Sequence, residues 1–250
     1  MPAELFPYDL CAEANDHRMT LSWKVEGERL ISGYNIYLSE ASQGQVVRGS
    51  DDENVRPFNA VPFPGDTEPE DGVQHYIAEP LENGVRYAVR VRALFPDGSL
   101  SQPSNEVAAV CGPRGELTLA VRYKADNDGY SFELNRAVRA NSVDNDLYFF
   151  SDAAGDYLAS PDRLGGFINR SRFAVLPFRG DFVQVSARLA DFELNPSEDR
   201  VAVKPGDWVL VRTQRDTFAL VNVLGLEGAG ESRSARLSFA YSTIVGEAVF

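Results

Sequence analysis

The sequence predicts an all-β protein of two domains, and three observations predict it. Short segments in which apolar and polar side chains alternate recur along most of the chain, and a period of two belongs to strands. Gly, Pro, Asn and Asp clusters separate these segments at short spacing. No stretch sustains the 3.6-residue period of an amphipathic helix. A length of 250 residues suits one large or two ordinary domains. The punctuation Cys111-Gly112-Pro113-Arg114-Gly115 divides the chain into residues 1–113 and 114–250.

In the first domain, strand signals run from about residue 8 to residue 111. Met19, Leu21, Trp23 and Val25 alternate with polar residues and share one face of a strand. Residues 33–38, Gly-Tyr-Asn-Ile-Tyr-Leu, form a second strand, and a strand begins at residues 73–76. Residues 86–93 carry the cleanest alternation in the chain: Tyr87, Val89, Val91 and Ala93 face inward, while Arg86, Arg90 and Arg92 face water. Pro96-Asp97-Gly98-Ser99 is a turn, and residues 106–110 form the last strand. The connection from Val46 to Gln74 is long, acidic and rich in Pro and Gly, with no clear middle strand. It is either functional or mobile.

Leu21-Ser22-Trp23, Tyr34-Asn35-Ile36-Tyr37, residues 81–87 with Val89, Val91 and Ala93, and residues 101–107 occur here in one order. Together they cover about residues 6–112, and this region resembles the fibronectin type III family. The resemblance implies a seven-strand sandwich in which Trp23 is the core tryptophan and Tyr87 the tyrosine-corner residue, whose hydroxyl bonds nearby backbone. It also implies a spacer or binding platform of an exported protein. A fold of this kind assigns no chemistry by itself. Export would let Cys11 and Cys111 pair, and the bridge would close a long loop. Against that pairing, the first and last strands of such a sandwich run the same way. The start of one and the end of the other then lie at opposite poles.

From residue 116 to residue 250 about nine or ten strands are predicted. The clearest are 117–123, 130–134, 146–150, 167–176, 182–189, 201–204, 208–213, 217–224 and 235–243, with turns at 126–129, 154–156, 204–207 and 214–216. They predict a second β-sandwich or a jelly-roll-like barrel. No family is recognised in this half.

Composition narrows the function. The formal charge is −13 and the residues are 44% hydrophobic, which excludes a disordered chain and argues against a nucleic-acid partner. No apolar run approaches the roughly 18 residues of a membrane helix. Two His and two Cys leave little for a zinc site or a His-based catalytic network. His17 and His75 both fall in the first domain, where surface or packing roles suffice. Nothing resembles a P-loop or a dinucleotide fingerprint.

Three patterns remain. Asp126 and Asp128, in Asp-Asn-Asp-Gly, are candidate calcium ligands, because a turn presents oxygens together. Asp144-Asn145-Asp146 is similar. The same residues also make ordinary turns. Arg179-Gly180-Asp181 matches an adhesive tripeptide read by integrins, although Phe178 and Phe182 place it between two strands. In Leu147-Tyr148-Phe149-Phe150, neighbouring aromatics must point to opposite faces, so at least one lies outside the core. It is either covered by a second layer or open to a sugar ring.

The function expected is therefore a non-enzymatic binding, adhesion or spacer module outside the cytoplasm, with a protein or glycan at the cell surface as partner and no cofactor beyond the calcium candidate. The start Met1-Pro2-Ala3-Glu4 has no signal-peptide pattern, so the protein is either cytosolic or exported with a leader already removed, and the first domain's resemblance favours export. The alternative is a carbohydrate-binding protein or one that cleaves glycans with paired carboxylates. Only Lys24, Lys124 and Lys204 are lysines, and the other positive charges are Arg. A GC-rich genome produces that bias, and so does adaptation to high salt, which screens the self-repulsion of an acidic surface. Thermal unfolding in dilute and in molar KCl separates the two: salt adaptation requires a midpoint that rises, and an unchanged midpoint leaves genome bias.

Overall fold

Met19, Leu21 and Trp23 lose nearly all contact with solvent because alternation puts them on one face of one strand. The same rule generates most of the architecture. The computed structural model describes residues 5–40, 56–65, 72–166, 169–189 and 195–250. The chain forms two units, Met1–Cys111 and Gly112–Phe250. Both are built almost wholly of antiparallel strands, in four sheets. No helix among the described residues is long and apolar enough to cross a membrane.

The first unit contains β1 (Tyr8–Asn15), β2 (Arg18–Lys24), β3 (Gly33–Glu40), β4 (Val73–Ala78), β5 (Arg86–Leu94) and β6 (Val107–Val110). One sheet has the order β1-β2-β4 and the other β3-β5-β6. Inward residues of both sheets build one core, so the unit is a sandwich. Trp23 from the first sheet meets Tyr34 from the second edge-on, with ring centroids 5.2 Å apart. Tyr87, Val89, Val91 and Ala93 are buried, as the alternation predicts. The Tyr87 hydroxyl accepts the backbone N–H of Glu82 at 2.9 Å.

Among the described residues this unit has six strands rather than seven. Part of the long connection, residues 46–55 and 66–71, lies outside the described residues. Within it, residues 58–63 line the free edge of β3 without becoming a strand. Phe58 N–H donates to Ile36 O, and Phe63 exchanges backbone bonds with Tyr34. Between them the Asn59 side chain substitutes for a strand: its Oδ1 accepts Ile36 N–H at 2.8 Å and its Nδ2 donates to Tyr34 O at 2.9 Å. Asn105 uses the same device on β1, accepting from Leu10 N and donating to Leu10 O.

Cys11 and Cys111 are both free thiols in this structure. Cys11 is exposed on β1, whereas Cys111 is buried in the core with its Sγ–H donating to Arg18 O at 3.3 Å. The Cys11 side chain faces solvent and the Cys111 side chain faces the core, and the bridge between them is not formed.

The second unit holds β7 (Arg114–Ala120), β8 (Gly129–Ser131), β9 (Arg136–Val138), β10 (Leu147–Asp152), β11 (Gly155–Ala159), β12 (Arg172–Val175), β13 (Arg200–Ala202), β14 (Trp208–Arg212), β15 (Phe218–Glu227) and β16 (Ser234–Ser242). They form two five-stranded sheets, β13-β11-β10-β8-β9 and β12-β14-β15-β16-β7. Leu147, Phe149 and Leu158 of the first sheet pack against Val209, Val221 and Leu237 of the second in one core. The unit is therefore a second sandwich.

One predicted strand is overturned. Residues 182–189 form helix α1 (Phe182–Leu189). Two forces favour the helix. Asp181 and Gln184 make a reciprocal cap: Gln184 N–H donates to Asp181 Oδ1 at 2.8 Å, and Asp181 N–H donates to Gln184 Oε1 at 3.3 Å. Val185 and Leu189, one turn apart on one side, then pack with Trp208, Leu210 and Leu220. Those three lie on the outer face of β14 and β15, which alternation turns away from the central core. The helix is the second cover that a sheet apolar on both faces needs. The predicted strand at 167–176 contracts to β12, and its residues 167 and 168 lie outside the described residues.

Asp181→Ala removes the cap of a short helix and is expected to lower stability by about 1 kcal/mol. Asp181→Asn keeps an acceptor and should cost a smaller part of that. Chemical denaturation of both variants, followed by circular dichroism, checks the order.

Candidate functional site

The Tyr148–Phe150 pair defines the face that most invites a ligand. Phe149 and Leu147 point into the core of the second unit, so Tyr148 and Phe150 stand on the opposite, outer face of β10. Tyr148 is covered there by Ala140, Ala159 and Leu164. Phe150 is only half-buried and lies directly across from Tyr157 of β11. The two rings stack 4.8 Å apart at 13°.

Guanidinium groups flank this row. Arg122 lies 4.9 Å from the Tyr123 ring, 5.7 Å from Tyr148 and 5.6 Å from Phe150, and Arg200 of β13 lies 5.1 Å from Tyr157. The outer face of this sheet is thus a strip of alternating aromatic rings and cations. Sequence alternation shows that some aromatic must lie outside. The arginines join it through long-range pairing that sequence spacing does not display.

At one end of the strip Tyr123 is 61% exposed and has a left-handed backbone, φ 65°. That conformation is unfavourable for a bulky residue and is held by its surroundings. The restraint is Asp128, whose Oδ2 accepts Tyr123 N–H at 2.6 Å and whose Oδ1 accepts Ala140 N–H at 2.6 Å. The turn 126–129 therefore presents Tyr123, with Asp128 buried beneath as a double backbone acceptor. Asp126 is exposed and pairs with the Arg139 guanidinium. Tyr123, Lys124, Asp126, Arg139 and Asn141 line an open hollow of about 440 Å³.

The calcium candidates Asp126 and Asp128 do fall in one loop, yet they are engaged differently, one by Arg139 and one by two amides. Among the described residues no three His, Cys, Asp or Glu side chains gather as a metal-ligating group. Calcium takes about six to eight oxygens, so this pair would need several further ligands.

In Asp144-Asn145-Asp146 the side chains of Asn145 and Asp146 are bound inward. Asn145 is fully buried, accepts Tyr130 N–H at 2.9 Å and donates to Ala140 O at 2.9 Å. Asp146 accepts Phe132 N–H at 2.8 Å. Burial pushes the Asp146 carboxyl up to about 7, aided by the charge of Asp144 and opposed by the Phe132 bond. The adhesive tripeptide is likewise spent on structure: Arg179 donates to Asp207 at 2.7 Å, Gly180 O accepts from the Trp208 indole at 3.1 Å, and Asp181 caps α1. His17 contacts Leu81 O through Nδ1 at 3.0 Å, and His75 is exposed on β4.

No family model and no curated protein matches the chain. Among solved structures, the twitchin kinase region from C. elegans (Fn31-NL-kin-CRD-Ig26) is similar at a TM-score of 0.32 and 15% identity, over 96% of this chain and 39% of that one. The chain thus corresponds to well under half the length of that structure.

The Asp146 carboxyl makes stability depend on pH with a definite sign. Its folded value is raised above the ordinary carboxylate value of about 3.9, which the unfolded chain keeps. Between about 4 and 7 the folded state holds a proton that the unfolded state has released. Stability contributed by this group is present at the acid end and lost as pH rises to about 7. Asp146→Asn retains an acceptor for Phe132 N–H and abolishes that loss. Denaturation midpoints at pH 5 and pH 8 should therefore lie closer together in the variant, and an unchanged difference contradicts the assignment.

Proposed function

We propose that the chain is a non-enzymatic binding module that works outside the cytoplasm, and that the outer face of the β13-β11-β10-β8-β9 sheet is its ligand surface. The observation that carries this is the Tyr123 end of the strip: an exposed aromatic in a strained backbone, braced from below by Asp128 and continued by Arg122, Phe150, Tyr157 and Arg200. Strain of about 1–3 kcal/mol at an exposed ring is readily understood where the ring's position matters for recognition. Aromatic rings and arginines are the side chains that dominate binding energy at interfaces.

The first unit supports this reading as a fibronectin type III-like platform. The two three-stranded sheets, the buried Trp23 and the Tyr87 hydroxyl bonded to Glu82 N–H fit that family's pattern. Modules of this kind serve as spacers and binding platforms on exported proteins, which is the ground for placing the chain outside the cytoplasm.

A glycan is the partner that the hollow beside Tyr123 favours. A pyranose can lay its C–H face on the exposed ring while its hydroxyls reach Asp126, Arg139 and Asn141. A protein partner would instead use the whole strip. A glycan array probed with the intact chain, and repeated with Tyr123→Ala and Tyr157→Ala, tests both readings. Selective glycan binding that falls at least tenfold in Tyr123→Ala supports the glycan reading. Binding unchanged in both variants removes this face as the site.

A further inference from the structure

A second cluster of arginines is centred on the other sheet of this unit and shares no residue with that strip. Arg172, the first residue of β12, is paired directly with Arg212, the last residue of β14. Like charges directly opposite on neighbouring strands repel, and nothing in the apolar packing of this sheet requires them there. Arg170 precedes Arg172 by two residues. Arg170, Arg172 and Arg212, together with Thr213, Gln214 and Asp216, line one hollow of about 420 Å³.

The cluster is only partly neutralised from within. Asp162 accepts both terminal nitrogens of Arg172 on one oxygen, at 3.2 Å. Asp216 accepts Arg212 Nε at 2.6 Å, so among the described residues the two terminal nitrogens of Arg212 carry no bond. Arg170 is exposed and makes no hydrogen bond or ion pair among the described residues. Three cations therefore stand against two carboxylates, Asp162 and Asp216, of which only Asp216 lines the hollow among the described residues, in a chain whose formal charge is −13. Arginine's fixed fork of N–H donors matches oxyanions through two parallel bonds. The hollow is larger than a lone ion needs and lies in the range of small-molecule sites.

We propose that Arg170, Arg172 and Arg212 form a binding site for a tetrahedral oxyanion, a sulfate or phosphate group, carried as an ester on a small ligand. The unbonded terminal nitrogens of Arg212 and the whole guanidinium of Arg170 supply the donors, and the bound anion relieves the repulsion between Arg172 and Arg212. Exposed Gln214 stands at the rim, where it can meet the part of the ligand that bears the anion.

Isothermal titration and thermal unfolding of the full chain test this, with chloride at matched ionic strength as the baseline. The probes are inorganic phosphate, inorganic sulfate, glucose 6-sulfate and unmodified glucose. Glucose 6-sulfate is expected to bind at least tenfold more tightly than inorganic sulfate and to raise the midpoint, because a ligand held only by the folded state stabilises it. Equal affinity for sulfate and glucose 6-sulfate would assign the site to the free ion and overturn the ester. A midpoint that moves no more than in chloride, or binding of unmodified glucose as tight as of its sulfate, overturns the oxyanion site altogether. Arg170→Ala, at an exposed residue with no hydrogen bond or ion pair among the described residues, should fold normally and weaken binding at least tenfold. Arg212→Lys keeps the charge but loses the fork, and it should weaken binding too. Arg29→Ala, in the first unit, should leave it unchanged. Affinity retained in both site variants overturns the proposal.

Discussion

The second unit depends on the burial of β14 and β15 from both sides. Val209, Val211, Ala219 and Val221 meet the opposing sheet, while Trp208, Leu210, Phe218 and Leu220 meet a separate apolar cluster. A strand with two buried faces reads as a continuous apolar run, and Trp208-Val209-Leu210-Val211 is such a run. Once that pair sits in the centre of a sheet, something must cover its outer face. The short helix does so, its start must be capped, and the chain entering it must be tied down. Asp181 supplies the cap, and Arg179 ties the approach to Asp207. An adhesive tripeptide thus has both its charged side chains committed by one packing requirement.

The first unit was readable because its strands are half-buried. Tyr87, Val89, Val91 and Ala93 alternate with three arginines, and nothing else produces that pattern. The 182–189 segment was misleading for the opposite reason. It spans barely two turns, too little to establish a period, and valines favour strands. The local clue was the Asp181–Gln184 spacing, which marks a capped start. Harder still were side chains that act as backbone. Asn59, Asn105, Asn145 and Asp128 each occupy a peptide N–H at least 12 residues away in sequence. A sequence shows such residues only as turn formers, since their partners are set by tertiary structure.

The surface strip shows the same division. Alternation in Leu147-Tyr148-Phe149-Phe150 was sufficient to put an aromatic outside. What lies over it was decided by residues from four other segments: Ala140 and Leu164 closed over Tyr148, whereas Arg122 and Arg200 left Phe150 and Tyr157 half-open. The buried and open ends of one strip therefore differ in role. The closed end is packed into the fold and the open end is left to solvent. Asp128 joins them, since one carboxylate holds both the Ala140 amide of the cover and the Tyr123 amide of the open end.

The side-chain amide at the margin of β3 has a consequence for how the first unit can meet other molecules. An open sheet edge is an invitation to any extended peptide, including another copy of the same chain. Here the backbone groups of Tyr34 and Ile36 that would greet such a peptide are already taken by Asn59, Phe58 and Phe63. A newcomer would have to evict an asparagine that bonds in both directions and a phenylalanine ring packed on Trp23. At Tyr34 and Ile36, strand addition is blocked by a plug that offers only a single bridge of its own. What this stretch of β3 presents to its surroundings is therefore side-chain surface rather than open backbone.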